Sequence, residues 1–416
     1  MRVPPRNFIC SCTSSFMVVV INTYFYISCS ADAQSFAARF ANADSLGLNT
    51  VSPIDYLLDN NLGEAIKGGL IYGLGINSVY NTNFFLSADH PERELSTNFL
   101  PWISYVTDPE GKANISVTAN YHPVIQTYLE NSDLDSIDQS SDITMRIEGS
   151  RTIISSYVSY GESSGTDPII GEFVNESLFT TGIQGIYQIG SRTAISTSLS
   201  IVKSNYNNDS IVGSNIYTTY VGGYWSVTEQ LSIGPAINYV LTESNNTGKY
   251  ETCDFSVQTQ YMLGERIQMV GSLGIQYKKN SSVTGANALG ITGHFRANYL
   301  IHEMLKWMSS VQYITVPSPT ELDYVINNLM ISTALDYKFY RARFGLGIDL
   351  NIASYEKVGM TNINLSDKNN FGAFISYKRN FFVERVNFES RLRYSVNDGQ
   401  INWSQLLISA GFKVQF

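Results

Sequence analysis

The residues able to do chemistry are few. "GESSG" at Gly161 to Gly165 reads as G-x-S-x-G, with Ser163 in the nucleophile position. That motif needs a strand-turn-helix elbow to present the serine, plus a His and an acid. No helical periodicity follows Gly165, so the stretch reads as the start of a loop. The four histidines, at positions 90, 122, 294 and 302, include no metal-ligand spacing such as H-E-x-x-H. His294 alone falls on the polar face of a strand pattern. "NSDLDSIDQSSD" gathers Asp133, Asp135, Asp138 and Asp142, with Glu130 just before it. It could hold Ca²⁺ or bridge lipid phosphates through divalent ions. It lacks the Gly and the closing Glu of a calcium loop, so it reads as a solvated acidic loop. N-x-[ST] matches such as Asn175 and Asn402 are expected in a chain rich in Asn and Ser. No catalytic constellation, metal site or cofactor is expected, and the chain does not read as an enzyme.

What remains is charge placed on strands. Of 416 residues, 44% are hydrophobic and only 15% charged, against roughly 25% charged in an average soluble protein. Mean hydropathy is −0.07, and beyond the first stretch no apolar run reaches the ~18 residues of a spanning helix. Ser, Thr, Asn, Gln, Gly and Tyr fill the gap, as in a β protein with much uncharged polar surface. The net charge of −9 argues against nucleic acid as a partner.

The first 33 residues read as a secretory signal peptide. Arg2 and Arg6 precede an apolar region, and Ala31 and Ala33 form an A-x-A site before Gln34. The rival is a lipoprotein signal with Cys29 as the lipidated residue. Beyond the signal only Cys253 remains, so neither an internal disulfide nor a Cys-based metal site is expected. Residues 34–68 carry no strand pattern. They read as a periplasmic N-terminal tail, with a short helix or a lumen segment as alternatives.

From residue 69 the chain repeats. Tyr187, Tyr224, Tyr261, Tyr299, Tyr337 and Tyr377 each precede a short turn, at spacings of about 37 to 40 residues. Phe416 follows at about the same interval. Each repeat holds two strands with period-2 alternation. In "LSIGPAINYVLT", Leu231, Ile233, Ile237 and Tyr239 share one face, and Ser232, Gly234, Ala236 and Asn238 share the other. The strands read as about 10 to 12 residues, longer than the usual 5 to 6 of globular sheets. Turns alternate between short and long, as in up-and-down barrels. Aromatic residues cluster at strand ends, where a bilayer has its interfaces.

A soluble sandwich is the rival architecture. The pattern favours an all-β fold: a transmembrane antiparallel up-and-down β-barrel over residues 69–416. About nine turn sites predict about 18 strands, with 16 as the fallback if the first is a lead-in. An even count puts both termini and the short turns on the periplasmic side of a bacterial outer membrane. The six tyrosines would form the aromatic girdle. The long connections, "HPVIQTYLENSDLDSIDQSS" and "GESSGTDPIIGEFVNE" among them, would face outside.

Strand parity turns Arg146, Glu148, Asp254, His294, Arg296, Lys306, Asp336 and Lys338 inward. Arg343, Asp349, Lys378, Glu389, Arg391, Arg393 and Lys413 join them. Cations outnumber anions by roughly two to one on this reading. Lys306, Lys338, Arg343 and Lys378 would ring the periplasmic mouth. Arg391 and Arg393 with Glu389, and Arg296 with Asp349, would lie nearer mid-strand. A barrel of 16 to 18 strands leaves an aqueous channel, and a charged ring in it biases which ions pass. The alternative is that the charges only pair across strands and hold the register.

"SAGFKVQF" matches the outer-membrane assembly signal through Ser409, Gly411, Val414 and Phe416. The match implies recognition by the barrel-assembly machinery, by edge-strand pairing and docking of the aromatic end. More widely, "INSVYNTNFFLS", "LPWISYV" and "ESLFTTGIQGIYQIGSRTAISTSLSIVKSNYNND" resemble the β-barrel porin 2 group. The resemblance implies an outer-membrane barrel, and a link with exopolysaccharide secretion. The expected function is therefore passage of small hydrophilic solutes or a secreted polysaccharide through the lumen, with the bilayer as partner. A closed barrel working through its external loops is the second reading, and an outer-membrane enzyme the third. The solute and the oligomeric state are not legible.

Overall fold

A computed structural model describes residues 69–107, 114–166, 172–207, 213–244, 248–264, 266–280, 287–317, 324–357, 368–381, 385–399 and 402–416. The expected signal peptide and tail lie outside the described residues. The first six strands are β1 (Gly69–Asn81), β2 (Glu94–Val106), β3 (Ile115–Tyr128), β4 (Ser136–Glu148), β5 (Thr152–Thr166) and β6 (Phe173–Gln188). Next come β7 (Thr193–Tyr206), β8 (Ser214–Ser226), β9 (Leu231–Ser244), β10 (Gly248–Leu263), β11 (Ile267–Asn280) and β12 (Asn287–His302). The last six are β13 (Leu305–Pro317), β14 (Tyr324–Phe339), β15 (Ala342–Lys357), β16 (Lys368–Phe381), β17 (Val386–Asp398) and β18 (Trp403–Gln415).

Each strand pairs antiparallel with its sequence neighbours, and β1 also pairs with β18. The 18-stranded sheet is thus a closed barrel with no free edge, the arrangement by which strands satisfy their backbone groups in hydrocarbon. β1 shows the pattern that closes it: Leu70, Tyr72, Leu74 and Ile76 are exposed, while Ile71, Gly73 and Gly75 are buried. On β11 and β12, Leu273, Leu289 and Ile291 are 69%, 76% and 60% exposed. A continuous apolar exterior of this kind far exceeds the patches of a water-soluble surface. It fits a bilayer and makes the chain a multi-pass barrel of the bacterial outer membrane. The opposite face is polar, and many of its side chains are buried against each other.

Closure depends on two glycines. A Cβ on Gly411 would meet the Ile76 carbonyl oxygen at 2.5 Å, and one on Gly73 would meet the Val414 carbonyl oxygen at 2.3 Å. The first and last strands approach that closely because neither position has a side chain. Trp102 lies in the space over Gly73, its ring atoms 2.5–2.6 Å from where the Cβ would be.

Two expectations need correction. The strands run 13 to 16 residues, longer than the sequence pattern suggests. Much of both quoted external segments is strand: β3 and β4 leave only Leu129–Asp135 between them, and β5 continues through Ser163 to Thr166. These extensions alternate little in polarity. Where both faces meet water, strand pairing needs no hydrophobic period and leaves none to read. Second, Tyr224 is on the inward face of β8, and Trp225, 56% exposed, takes the outward place. The backbone registers explain this. The N–H groups of Gln188 and Ser226 donate to the carbonyls of Arg151 and Arg192 at equivalent positions. The residue before each, Tyr187 and Trp225, therefore occupies the same outward site. Tyr187, Tyr299 and Tyr337 are exposed outward, and Tyr377 packs between Phe344 and Phe388 on the same belt.

Candidate functional site

The lumen wall is built from alternate residues of every strand, and its charges are sorted by side. On β11 to β18 the inward cations are Lys278, Arg296, Lys306, Lys338, Arg343, Lys368, Lys378, Arg391, Arg393 and Lys413. The inward anions there are Asp336, Asp349 and Glu389. On β2 to β10 the order reverses. Glu94, Asp138, Asp142, Glu148, Glu176 and Asp254 face inward against Arg146 alone, among residues whose side chains are described. The centres of the two arcs lie near β15 and β5, about half the circumference apart.

The expected two-to-one excess of cations is thus wrong for the lumen as a whole. Asp138 and Asp142, read as loop acids, are inward residues of β4. Asp138 accepts hydrogen bonds from the Ser164 N–H (2.9 Å) and Oγ (2.7 Å). Asp142 ends a relay in which Ser104 Oγ donates to Asn120 Oδ1 (2.5 Å) and Asn120 Nδ2 donates to Asp142 Oδ2 (2.8 Å). Asp135 accepts from the Tyr128 N–H at 2.7 Å. The acidic run is used in strand and turn structure. Among the described residues no group of His, Cys, Asp or Glu is arranged to hold a metal ion.

The basic wall is partly neutralised in place. Arg393, 4% exposed, reaches Asp349 at 2.9 Å and Ser395 Oγ at 3.2 Å. Arg343 pairs with Asp336, and Arg146 with Glu148. The Arg391 guanidinium lies 4.5 Å over the Phe374 ring. Arg393 takes Asp349, two strands away rather than on a neighbouring strand, because Gly372 between them has no side chain to block the approach. His294 shares a hydrogen bond with Ser272 at 2.8 Å. Lys306, Lys338, Arg343 and Lys378 all lie on inward rows close to the short turns.

Two features escape the sequence reading. One is a resident obstruction at the wide-loop mouth. The connection between β1 and β2, residues 82–93, folds inward, with Phe84 3% and Leu86 1% exposed. Phe84 packs on Tyr128 (5.1 Å) and Phe173 (6.1 Å). Asn83 ties it to β18 through the Ser404 carbonyl, and Gln405 Nε2 donates back to the Asn83 carbonyl. A cavity of about 20 Å³ remains beneath it, lined by Val79, Glu94, Gln126 and Tyr128, room for about one water. The "NFF" run within the first-strand motif was the available signal. The second feature is a set of inward aromatic rings set where neighbouring glycines leave room. Trp102 stacks on His122 with 6.2 Å between centroids. A Cβ on Gly182 would meet the Tyr157 ring, and one on Gly347 the Phe374 ring.

Of the expected insertion signal, Gly411 lies inward and Val414 faces outward. Phe416 donates its N–H to the Tyr72 carbonyl and stacks on the Tyr72 ring at 5.8 Å. Ser409 faces inward opposite Val79.

No protein-family model and no curated protein matches the sequence. Solved structures do. The chain is similar to OpdK of Pseudomonas aeruginosa, solved with vanillate, at 11% identity and a TM-score of 0.45, covering 83% of this chain and 99% of that one. It is similar to OccK2 (OpdF) of the same organism at 11% identity and a TM-score of 0.47, covering 83% and 98%. OpdO of Pseudomonas aeruginosa matches at 9% identity and a TM-score of 0.47, covering 84% and 98%.

Proposed function

We propose that the barrel is an outer-membrane diffusion channel for small hydrophilic solutes, with anions favoured along the β11–β18 wall. The observation that carries this is the sorting of inward charge. A register-holding role would need cations and anions mixed on neighbouring strands. Ten cations against three anions on eight successive strands is instead a surface for counter-ions. Lysines 306 and 338 have no ion-pair partner among the described residues. An 18-strand cylinder is wide enough for an aqueous path, and a lumen edged by one sign of charge concentrates the opposite ion. The channel needs no cofactor and no enzymatic step. The barrel-assembly machinery would insert it through the β18 signal.

A secreted polysaccharide is the second cargo considered. The inward rings of Trp102, His122 and Tyr157 favour it, because flat aromatic faces suit stacking on sugar rings. The porin 2 resemblance points the same way. The test is conductance in planar bilayers, followed by reversal potentials in a KCl gradient. A channel with Cl⁻ more permeant than K⁺ is expected. A trace closed at every voltage would sink the channel reading and favour a barrel acting through its loops.

A further inference from the structure

Eight backbone positions at the short-turn end are equivalent. Each is the residue just before an odd-numbered strand, and its carbonyl accepts the N–H of the last or near-last residue of the following even-numbered strand. The donors are Glu148, Gln188, Ser226, Met262, Leu300, Lys338, Asn380 and Gln415. The acceptors, in order, are Asn114, Arg151, Arg192, Gln230, Arg266, Met304, Arg341 and Arg385. Five of these eight are arginine and none is acidic. The chain has 15 arginines in 416 residues, so composition alone would place fewer than one there. All five are exposed.

Their register places them on the inner rather than the outer rows. Gln188, Ser226, Leu300, Asn380 and Gln415, their backbone partners, carry the parity of the lumen face. On one side the ring is continuous with the basic wall, for Arg343 stands two residues above Arg341 on the same face. On the other side Arg151 and Arg192 stand below the acidic wall, and Arg266 lies where β11 opens the basic one. The lumen proper is two-sided in charge, whereas these eight acceptor positions are positive wherever they are charged; Glu148, Glu229, Glu265, Glu303 and Glu384 stand near them in sequence.

We propose that the five arginines form a collar that gathers small anions at the periplasmic mouth and makes conduction asymmetric. The proposal rests on the channel reading above. Clustered like charge at an aqueous mouth raises the local concentration of counter-ions within about a Debye length, ~10 Å at 0.1 M salt. Among the described residues the opposite mouth carries the tied-down 82–93 connection, with Lys278 and Lys368 near it rather than a row of arginines. Chloride therefore enters more readily from the collar side.

The experiment is single-channel current in planar bilayers, with the chambers told apart by a tag placed N-terminal to Gly69. In 0.1 M KCl the wild type should pass about two-fold more current when chloride is driven in from the tagged chamber. In 1 M KCl, where the Debye length is about 3 Å, the curve should become symmetric. The variant R151Q/R192Q/R266Q/R341Q/R385Q should be symmetric at both salts. If it fails to fold, R151Q/R192Q on the acidic side should lose at least half the asymmetry. A wild type that conducts symmetrically at 0.1 M, or a five-fold variant that keeps the asymmetry, overturns the collar and leaves the channel standing. A variant with wild-type currents but altered dependence on phosphatidylglycerol also overturns it, and assigns the arginines to lipid phosphates. No current from wild type in either direction overturns the channel reading and the collar with it.

Discussion

Glu94 and Arg393 are deeply buried charged side chains of opposite sign on the lumen wall, at 2% and 4% exposure. They are satisfied in different ways. Glu94 Oε1 accepts from the N–H groups of Leu95, Leu129 and Glu130, and Oε2 accepts from Asn131 N and Nδ2, all between 2.6 and 3.2 Å. Its charge is spent on holding the β3–β4 connection. Arg393 binds a carboxylate that is itself partly open, Asp349, on a wall crowded with other cations. On the acidic side, charge organises backbone at the external mouth. On the basic side, it lines a surface facing the interior. One wall is scaffold and the other is the candidate selectivity surface.

The largest effect should come from breaking the scaffold. Glu94→Ala would take the carboxylate acceptor from Glu130 and Asn131, while the Leu129 N–H keeps the Leu95 carbonyl, at about 3 kcal/mol for a charged acceptor lost from a buried site. The expected result is a barrel that still resists SDS at room temperature but is cut by protease between β3 and β4. Unaltered protease resistance would remove the contrast drawn here. Arg393→Ala should cost less, about 2 kcal/mol, since Asp349 is a third exposed and water can replace part of the lost partner. It would be read as an earlier midpoint in urea unfolding from lipid vesicles.

The same comparison shows what was readable in the sequence. Strand order, the short turns and the outer apolar rows follow from a period of two, which a bilayer on one side enforces at every residue. The inward parity of Arg296, Lys306, Lys338 and Arg343 follows from the same rule. The rule goes silent where both faces are wet. That is why the ends of β4 and β5 read as loops, and why Asp138 and Asp142 were left out of the lumen count. It also fails for contacts two strands apart, such as Arg393 to Asp349, which depend on a glycine between them. The inward fold of residues 82–93 depends on Asn83, Thr82 and Gln405 meeting across more than 300 residues, which no local pattern encodes. Tyr224 shows a smaller limit: an aromatic pair, Tyr224-Trp225, fits the repeat with either member, and only the register chooses.

Neutralising the basic wall should shift selectivity more than stability. K306Q/K338Q/K378Q removes three inward charges near the periplasmic mouth without touching the Arg343–Asp336 or Arg393–Asp349 pairs. The permeability ratio of Cl⁻ to K⁺ should fall several-fold, with urea midpoints nearly unchanged. An unchanged reversal potential would mean that the arc of cations only holds register.

The smallest effect, and the sharpest test of the two-wall picture, lies in D142N/D254N. Both acids sit inward, and each already accepts a hydrogen bond from an asparagine, Asn120 at 2.8 Å and Asn238 at 3.3 Å. An amide can keep that acceptor, so folding should be little altered. If the acidic wall only scaffolds, its field still reaches the lumen, and removing two negative charges should raise the Cl⁻ preference by less than about two-fold. The sign is the important part: it must be opposite to that of the lysine variant. A shift toward K⁺ would mean that the two walls do not act on one shared aqueous path, and the division of labour between them would have to be abandoned.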